Sequence, residues 1–157
     1  METPPAPQLE FAFETRLEFT RRDWTGRYPS GERGFTVLAG GEIEGPKLRG
    51  RVLPGGTDQP HRRPDGLVQV EAAYALESWD GVQIYIVNRG YRHATPEVLE
   101  RLLAGEQVDP STYYFRTAAL FEAPEDSPYA WMSRYVFIGV GDRRPDNRSV
   151  IRYFQVL

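Results

Sequence analysis

The sequence predicts a mostly β fold: one antiparallel β-barrel of about eight to ten strands with a single short helix. Three observations lead there. Long stretches alternate apolar and polar residues, an Asp-Gly pair joins two such stretches, and 157 residues include fifteen Gly and thirteen Pro. Alternation is the period of a strand buried on one face. Glycine and proline punctuate the chain, so this composition means many turns and few helices. Nine Tyr and eight Phe suit pleated surfaces and agree with that reading. At roughly 150 residues per domain the chain is one domain, taken as residues 9–157 behind a disordered tail over 1–8.

The first strand places Leu9, Phe11, Phe13, Thr15, Leu17 and Phe19 on one face, with Glu10, Glu14, Arg16 and Glu18 opposite. Thr25 to Gly31 reads as a loop, and Phe35 to Ala39 as a short strand stopped by Gly40-Gly41. Lys47 to Leu53 alternates again, and Gly50 within it marks a bend or a close approach, as at a barrel corner. A polar loop from Thr57 to Pro64 carries Asp58 and His61. Leu67 to Ser78 and Val82 to Arg89 flank Asp80-Gly81, the signal of a two-residue type I′ hairpin. That loop sets residue 77 against 84, 75 against 86 and 73 against 88. Glu71, Ala73, Ala75, Ile84, Ile86 and Asn88 then share a face. A helix near 96–104 has Thr95 to cap it, Pro96 in its first turn and Gly105 to stop it. Strands over Thr112 to Phe121, Tyr129 to Val140 and Arg148 to Leu157 complete the chain.

Composition excludes more than it assigns. Without cysteine there is no disulfide, thiolate nucleophile or Cys-ligated metal. His61 and His93 are the two histidines and lie in separate loops, so no His-rich metal site is expected. No Gly-x-Ser-x-Gly elbow or Gly-x-Gly-x-x-Gly turn appears, and Gly40 to Lys47 fails as a phosphate loop because Pro46 stands where Lys belongs. No cofactor is expected. A net charge of -3 offers no field for nucleic acid, and no apolar stretch approaches the ~18 residues of a membrane span. Met1 to Pro7 lacks the basic start and apolar middle of a signal peptide, which points to the cytoplasm.

Six segments taken in order carry a family resemblance. They are Gly41-Glu42-Ile43-Glu44-Gly45-Pro46, Leu53-Pro54-Gly55-Gly56-Thr57-Asp58, Asp80-Gly81-Val82-Gln83-Ile84, Asn88-Arg89-Gly90, Tyr114-Phe115-Arg116-Thr117 and Tyr129-Ala130-Trp131-Met132. Together, from Leu9 to Leu157, the chain resembles the family known as domain of unknown function 3237. The resemblance implies a small barrel akin to allene-oxide-cyclase-like and lipocalin-like barrels, and no settled activity. Ala73, Gln59 and Ser133 depart from the family pattern, in which Arg, Trp and Asn are usual near those places.

A small barrel holds either packed side chains or one small ligand, and the candidate site follows from the second option. Asp58 ends the Pro-Gly-Gly turn, where loops present reactive groups or simply bond their own backbone. Asp58, Glu71 and Arg116 are the catalytic candidates: a carboxylate to take a proton, a guanidinium fork to hold a developing oxyanion. Asn88, Tyr113, Phe115, Trp131 and Ser133 are the ligand-binding candidates. The enzyme reading is a cofactor-free isomerisation, cyclisation or lyase step on a small, mostly apolar or aromatic carbonyl compound. The alternatives are a non-catalytic carrier, and a packed barrel serving only assembly. A small-molecule ligand and a homodimer are the expected partners.

Overall fold

The computed structural model describes residues 3–20 and 22–157. In chain order the strands are β1 (Leu9–Phe19), β2 (Asp23–Tyr28), β3 (Gly31–Glu44), β4 (Gly50–Val52), β5 (Thr57–Asp58), β6 (His61–Arg62), β7 (Val68–Ser78) and β8 (Gln83–His93). Helix α1 (Pro96–Leu103) follows, then β9 (Tyr114–Glu122), β10 (Phe137–Arg144) and β11 (Arg148–Val156). Pairing runs β1-β11-β10-β9-β8-β7-β4-β3, and β3 returns to β1, so the sheet closes as an eight-strand antiparallel barrel. Short β5 and β6 extend the β4 position between β3 and β7, while β2 flanks the first half of β3 outside the circuit. Gly50 marks a barrel corner, because a Cβ there would overlap the Glu77 carbonyl oxygen on β7. Of the expected tail, Gln8 is tied to Leu157 by two backbone hydrogen bonds of 3.2 and 2.8 Å, and Met1 and Glu2 lie outside the described residues.

The β7–β8 hairpin corrects the expected register. Its loop is the three residues Trp79-Asp80-Gly81, across which Ser78 N–H donates to Val82 O at 2.9 Å. Val82 N–H donates to Ser78 Oγ at 2.9 Å, and the Ser78 hydroxyl donates to Asp80 at 2.5 Å. Among these loop residues Gly81 alone has positive φ, +86°, whereas a type I′ pair would need it at Asp80 too. The type I′ pattern occurs instead at the β10–β11 turn, where Asp146 and Asn147 have φ of 58° and 55°. The extra loop residue sets Leu76 opposite Ile84, Tyr74 opposite Ile86 and Ala72 opposite Asn88. A slip of one residue exchanges faces. Ala72, Tyr74 and Leu76 therefore point inward beside Ile84, Ile86 and Asn88, and Glu71, Ala73 and Ala75 point out.

The strand expected from Tyr129 does not form. Ala130–Arg134 is a 3₁₀ turn, and β10 begins at Phe137. Helix α1 forms as expected, with Val98 N–H donating to Thr95 Oγ1 at 3.4 Å. Its buried Leu102 packs with Val70, Val108, Tyr113 and Phe115 over one end of the barrel. The other end, under the β7–β8 turn, is filled by Phe13, Leu76, Phe121, Met132, Phe137 and Tyr153. Phe121 and Phe137 meet edge to face at 4.9 Å between centroids.

Candidate functional site

Inward positions along β7 and β8 change character from one end of the barrel to the other. Leu76 and Ile84 near the turn give way to Ala72 and Asn88, then to Val68 and Arg92 at the far end. Strand β10 repeats the trend, from Phe137 through Gly139 and Gly141 to Arg143. Asp58 enters from β5, which pairs with β7 at Ala72, and Arg22 from the segment before β2. These side chains line a hollow of about 30 Å³, room for one or two waters. Most of the lining is buried; Phe19, Arg22, Trp24 and Arg143 are its solvent-facing rim.

One carboxylate therefore stands among three guanidinium groups. Asp58 and Arg92 are 8% and 7% exposed. Burial pushes the Asp58 carboxyl above its ordinary value, although Arg22, Arg92 and Arg143 pull it down. Burial and mutual repulsion hold Arg22 down to about 10 and Arg143 to about 9, both still protonated at neutral pH. Burial, with repulsion from Arg62, lowers Arg92 as well. The rings of Phe19 and Phe115 lie under Arg22 and Arg92, 5.0 and 5.7 Å from the guanidinium carbons. Arg62 sits 4.7 Å over Trp24 and pairs with Glu32, bracing the rim.

Several groups here lack a partner. Asp58 Oδ1, Asn88 Oδ1, Arg22 Nε and Arg92 Nε are buried without a hydrogen-bond partner. A buried unpaired polar group typically costs about 1–3 kcal/mol, so four around one hollow need a reason. On the floor, Asn88 Nδ2 donates to Tyr153 Oη at 3.2 Å, and the hydroxyls of Tyr153 and Tyr74 are 3.1 Å apart. Burial pushes Tyr74 up to about 12 and Tyr153 well above its ordinary value, so both phenols stay neutral. A larger open groove of about 880 Å³ runs outside along β1 and the β10–β11 turn. Its charges pair with one another, Arg16 with Glu14 at 2.9 Å and Arg144 with Asp142 at 2.6 Å. Among the described residues no group of three His, Asp or Glu side chains could hold a metal ion.

Of the residues singled out from sequence, Asp58, Asn88 and Phe115 line this hollow. Tyr113 lies just behind it, its hydroxyl donating to Asp142 at 3.2 Å and accepting from Arg143 N–H at 2.8 Å. The other four lie elsewhere. Glu71 points outward because Val70 and Ala72 point in, and it pairs with Arg89 at 2.9 Å in solvent. Arg116 sits at an outward position of β9, its guanidinium 5.5 Å from the Tyr114 ring and bonded to the Phe115 carbonyl. Trp131 and Ser133 share no strand face, since both belong to the 3₁₀ turn. Trp131 packs at the aromatic end, 6.0 Å from Phe137, and Ser133 Oγ accepts from Ala123 N–H at 2.9 Å.

Arg22, Arg92, Arg143 and Tyr153 were not legible as a site. A signal existed for Arg92, because alternation from Ile84, Ile86 and Asn88 reaches it one step past Gly90. Arg143, beside Arg144, reads as a solvated pair until Phe137 fixes which residues of β10 face inward.

The match to known proteins covers nearly the whole chain. The model of the family described as "Protein of unknown function (DUF3237)" matches residues 7–156. The chain belongs to this family. A UPF0311 protein from Rhodopseudomonas palustris is 41% identical over 153 residues, covering 98% of this chain and 99% of the relative. A crystal structure from that organism superposes with a TM-score of 0.89 and 36% identity, covering 99% of this chain and 100% of that one. A fungal relative, the "Hydroalkoxylation enzyme phnH" of Penicillium herquei, is 31% identical over 83 residues, 53% of this chain and 55% of that protein. A crystal structure of an enzyme from the same fungus, 23% identical with a TM-score of 0.74 over 100% of this chain and 99% of that one, shares the fold.

Proposed function

We propose that this chain binds a small, mostly apolar or aromatic carbonyl compound at the charged end of its barrel and catalyses a cofactor-free acid–base step there. Within that class we favour a cyclisation in which a hydroxyl adds across a carbon–carbon double bond. The carrying observation is Asp58: a buried carboxyl with an unpartnered oxygen, beside guanidinium groups that have unpartnered nitrogens of their own. Burial raises the proton affinity of such a carboxyl, which suits it to take up a proton and return it. In the addition, the hydroxyl oxygen bonds to one alkene carbon and its proton passes to the carboxylate. The neighbouring carbon then takes a proton from the carboxyl. No electron is gained or lost overall, so nothing beyond acid, base and charge stabilisation is required. The guanidinium groups face the oxygen on which negative charge develops. The fungal relative's name, hydroalkoxylation enzyme, describes this class of addition.

The hollow is small, so an organic ligand must displace its waters and part of the rim. Trp24 is the part of the rim free to yield, because β2 is exposed along its whole length and pairs with β3 alone among the described strands. The packed-barrel alternative leaves the four unpartnered atoms unexplained. The carrier alternative shares the site and differs in chemistry alone.

The test uses 2′-hydroxychalcone, a hydroxy-enone whose ring closure is followed by loss of absorbance. Wild type should accelerate closure over buffer, and Asp58→Asn should lose at least about a hundredfold of that rate while remaining folded. Equal rates for the two proteins would remove Asp58 from the chemistry. Saturable binding of hydroxy-enones without turnover would establish the carrier reading instead.

A further inference from the structure

The unpartnered atoms also specify the ligand's charge and hydrogen-bond pattern. Arg22 Nε and Arg92 Nε are donors, whereas Asp58 Oδ1 and Asn88 Oδ1 are acceptors. A guanidinium whose Nε is free presents its side edge, Nε with one terminal nitrogen, a fork that matches two oxygens of a planar anion. With Asp58 ionised, the three guanidinium groups still leave two positive charges in excess around the hollow. No described carboxylate besides Asp58 lines that hollow to balance them. Asn88 donates through Nδ2 to the Tyr153 hydroxyl, which turns its unpartnered Oδ1, an acceptor, toward the hollow.

We infer that the ligand enters as a carboxylate on an aromatic body and carries a separate hydroxyl that donates to Asn88 or Asp58. This rests on the proposed binding site but not on the proposed reaction. A neutral carbonyl compound would leave the guanidinium groups repelling one another in a dry site. An anion without a donor would leave Asn88 Oδ1 and Asp58 Oδ1 unpaired. Both features are needed to satisfy the four atoms together.

The probes are 4-hydroxybenzoate, benzoate, 4-hydroxybenzamide and benzamide, titrated by NMR at low salt into wild type, Asp58→Asn, Arg92→Gln and Arg92→Lys. 4-Hydroxybenzoate should bind at least about tenfold more tightly than 4-hydroxybenzamide, since its bonds to guanidinium are charge-assisted. It should also exceed benzoate by a smaller factor. Arg92→Gln should erase most of the preference for the anion, and Arg92→Lys should restore part of it, which separates lost charge from lost packing. Amides binding as tightly as the acids would overturn the inference, as would a preference untouched by Arg92→Gln or the absence of saturable binding by either acid. Asp58→Asn divides this inference from the proposed reaction. It should keep or strengthen anion binding while abolishing turnover. Turnover dependent on Asp58 with no preference for anions would sink the charge assignment and leave the reaction standing.

Discussion

The two ends of one barrel interior are built on opposite principles. Under the β7–β8 turn, Phe13, Phe121, Phe137 and Tyr153 fill the space with interlocked rings, three of them wholly buried. At the far end β5, β8 and β10 present Asp58, Arg92 and Arg143 around a hollow, with buried polar atoms left unpaired. The aromatic end is optimised for packing, while the charged end carries desolvation and repulsion that packing alone would remove. The close packing thus lies away from the proposed site. Between the two ends lie Asn88, Tyr74 and Tyr153, a polar layer whose hydroxyls are satisfied by one another.

Substitutions at the two ends should therefore differ in sign as well as size. The largest effect is expected at the aromatic end, where Phe137→Ala should cost about 3–5 kcal/mol by urea unfolding. A cost below about 1 kcal/mol would mean that the end collapses readily and does not anchor the fold. At the charged end Asp58→Asn should stabilise. The folded carboxyl lies above its unfolded value of 3.8, so the folded chain holds the extra proton. Stability from this group is thus complete below that value and is lost as pH rises toward the folded one. The Asn variant should match wild type in unfolding midpoint near pH 3 and exceed it at pH 7. A lower midpoint at pH 7 would instead make Asp58 a structural counter-ion for the arginines. The smallest effects belong to the outer surface. Glu71→Gln and Arg116→Gln should each change stability by less than about 0.5 kcal/mol and leave affinity for 4-hydroxybenzoate unaltered. Weaker binding in either variant would mean that the site reaches through the wall.

The candidate site was half legible for a reason visible in one hairpin. Asp80-Gly81 correctly marks a turn between β7 and β8, yet the loop takes in Trp79, because Ser78 bonds Val82 from both its backbone and its side chain. That single residue exchanges the faces of β7. It sends Glu71 to solvent and brings Ala72 and Tyr74 beside Asn88. Alternation on β8 itself was unaffected, so Asn88 stayed inside and Arg92 could have been found with it. Trp131 and Ser133 were misplaced by a different error, since a spacing of two shares a face in a strand and not in a 3₁₀ turn.

By itself the sequence determined the class of fold: alternating strands, glycine at the close approaches, and one capped helix over Pro96–Leu103. These are local properties, set by backbone conformations and by which residues exclude water. Tertiary structure alone decided that Arg22, Arg92 and Arg143, from three distant segments, surround Asp58. Barrel closure brings β1 against both β3 and β11, and it sets the level along the barrel axis that each inward side chain reaches. Alternation says which side of a strand a residue is on. It does not say which residues of other strands stand at the same height, and the charged end of this barrel is made by that shared height.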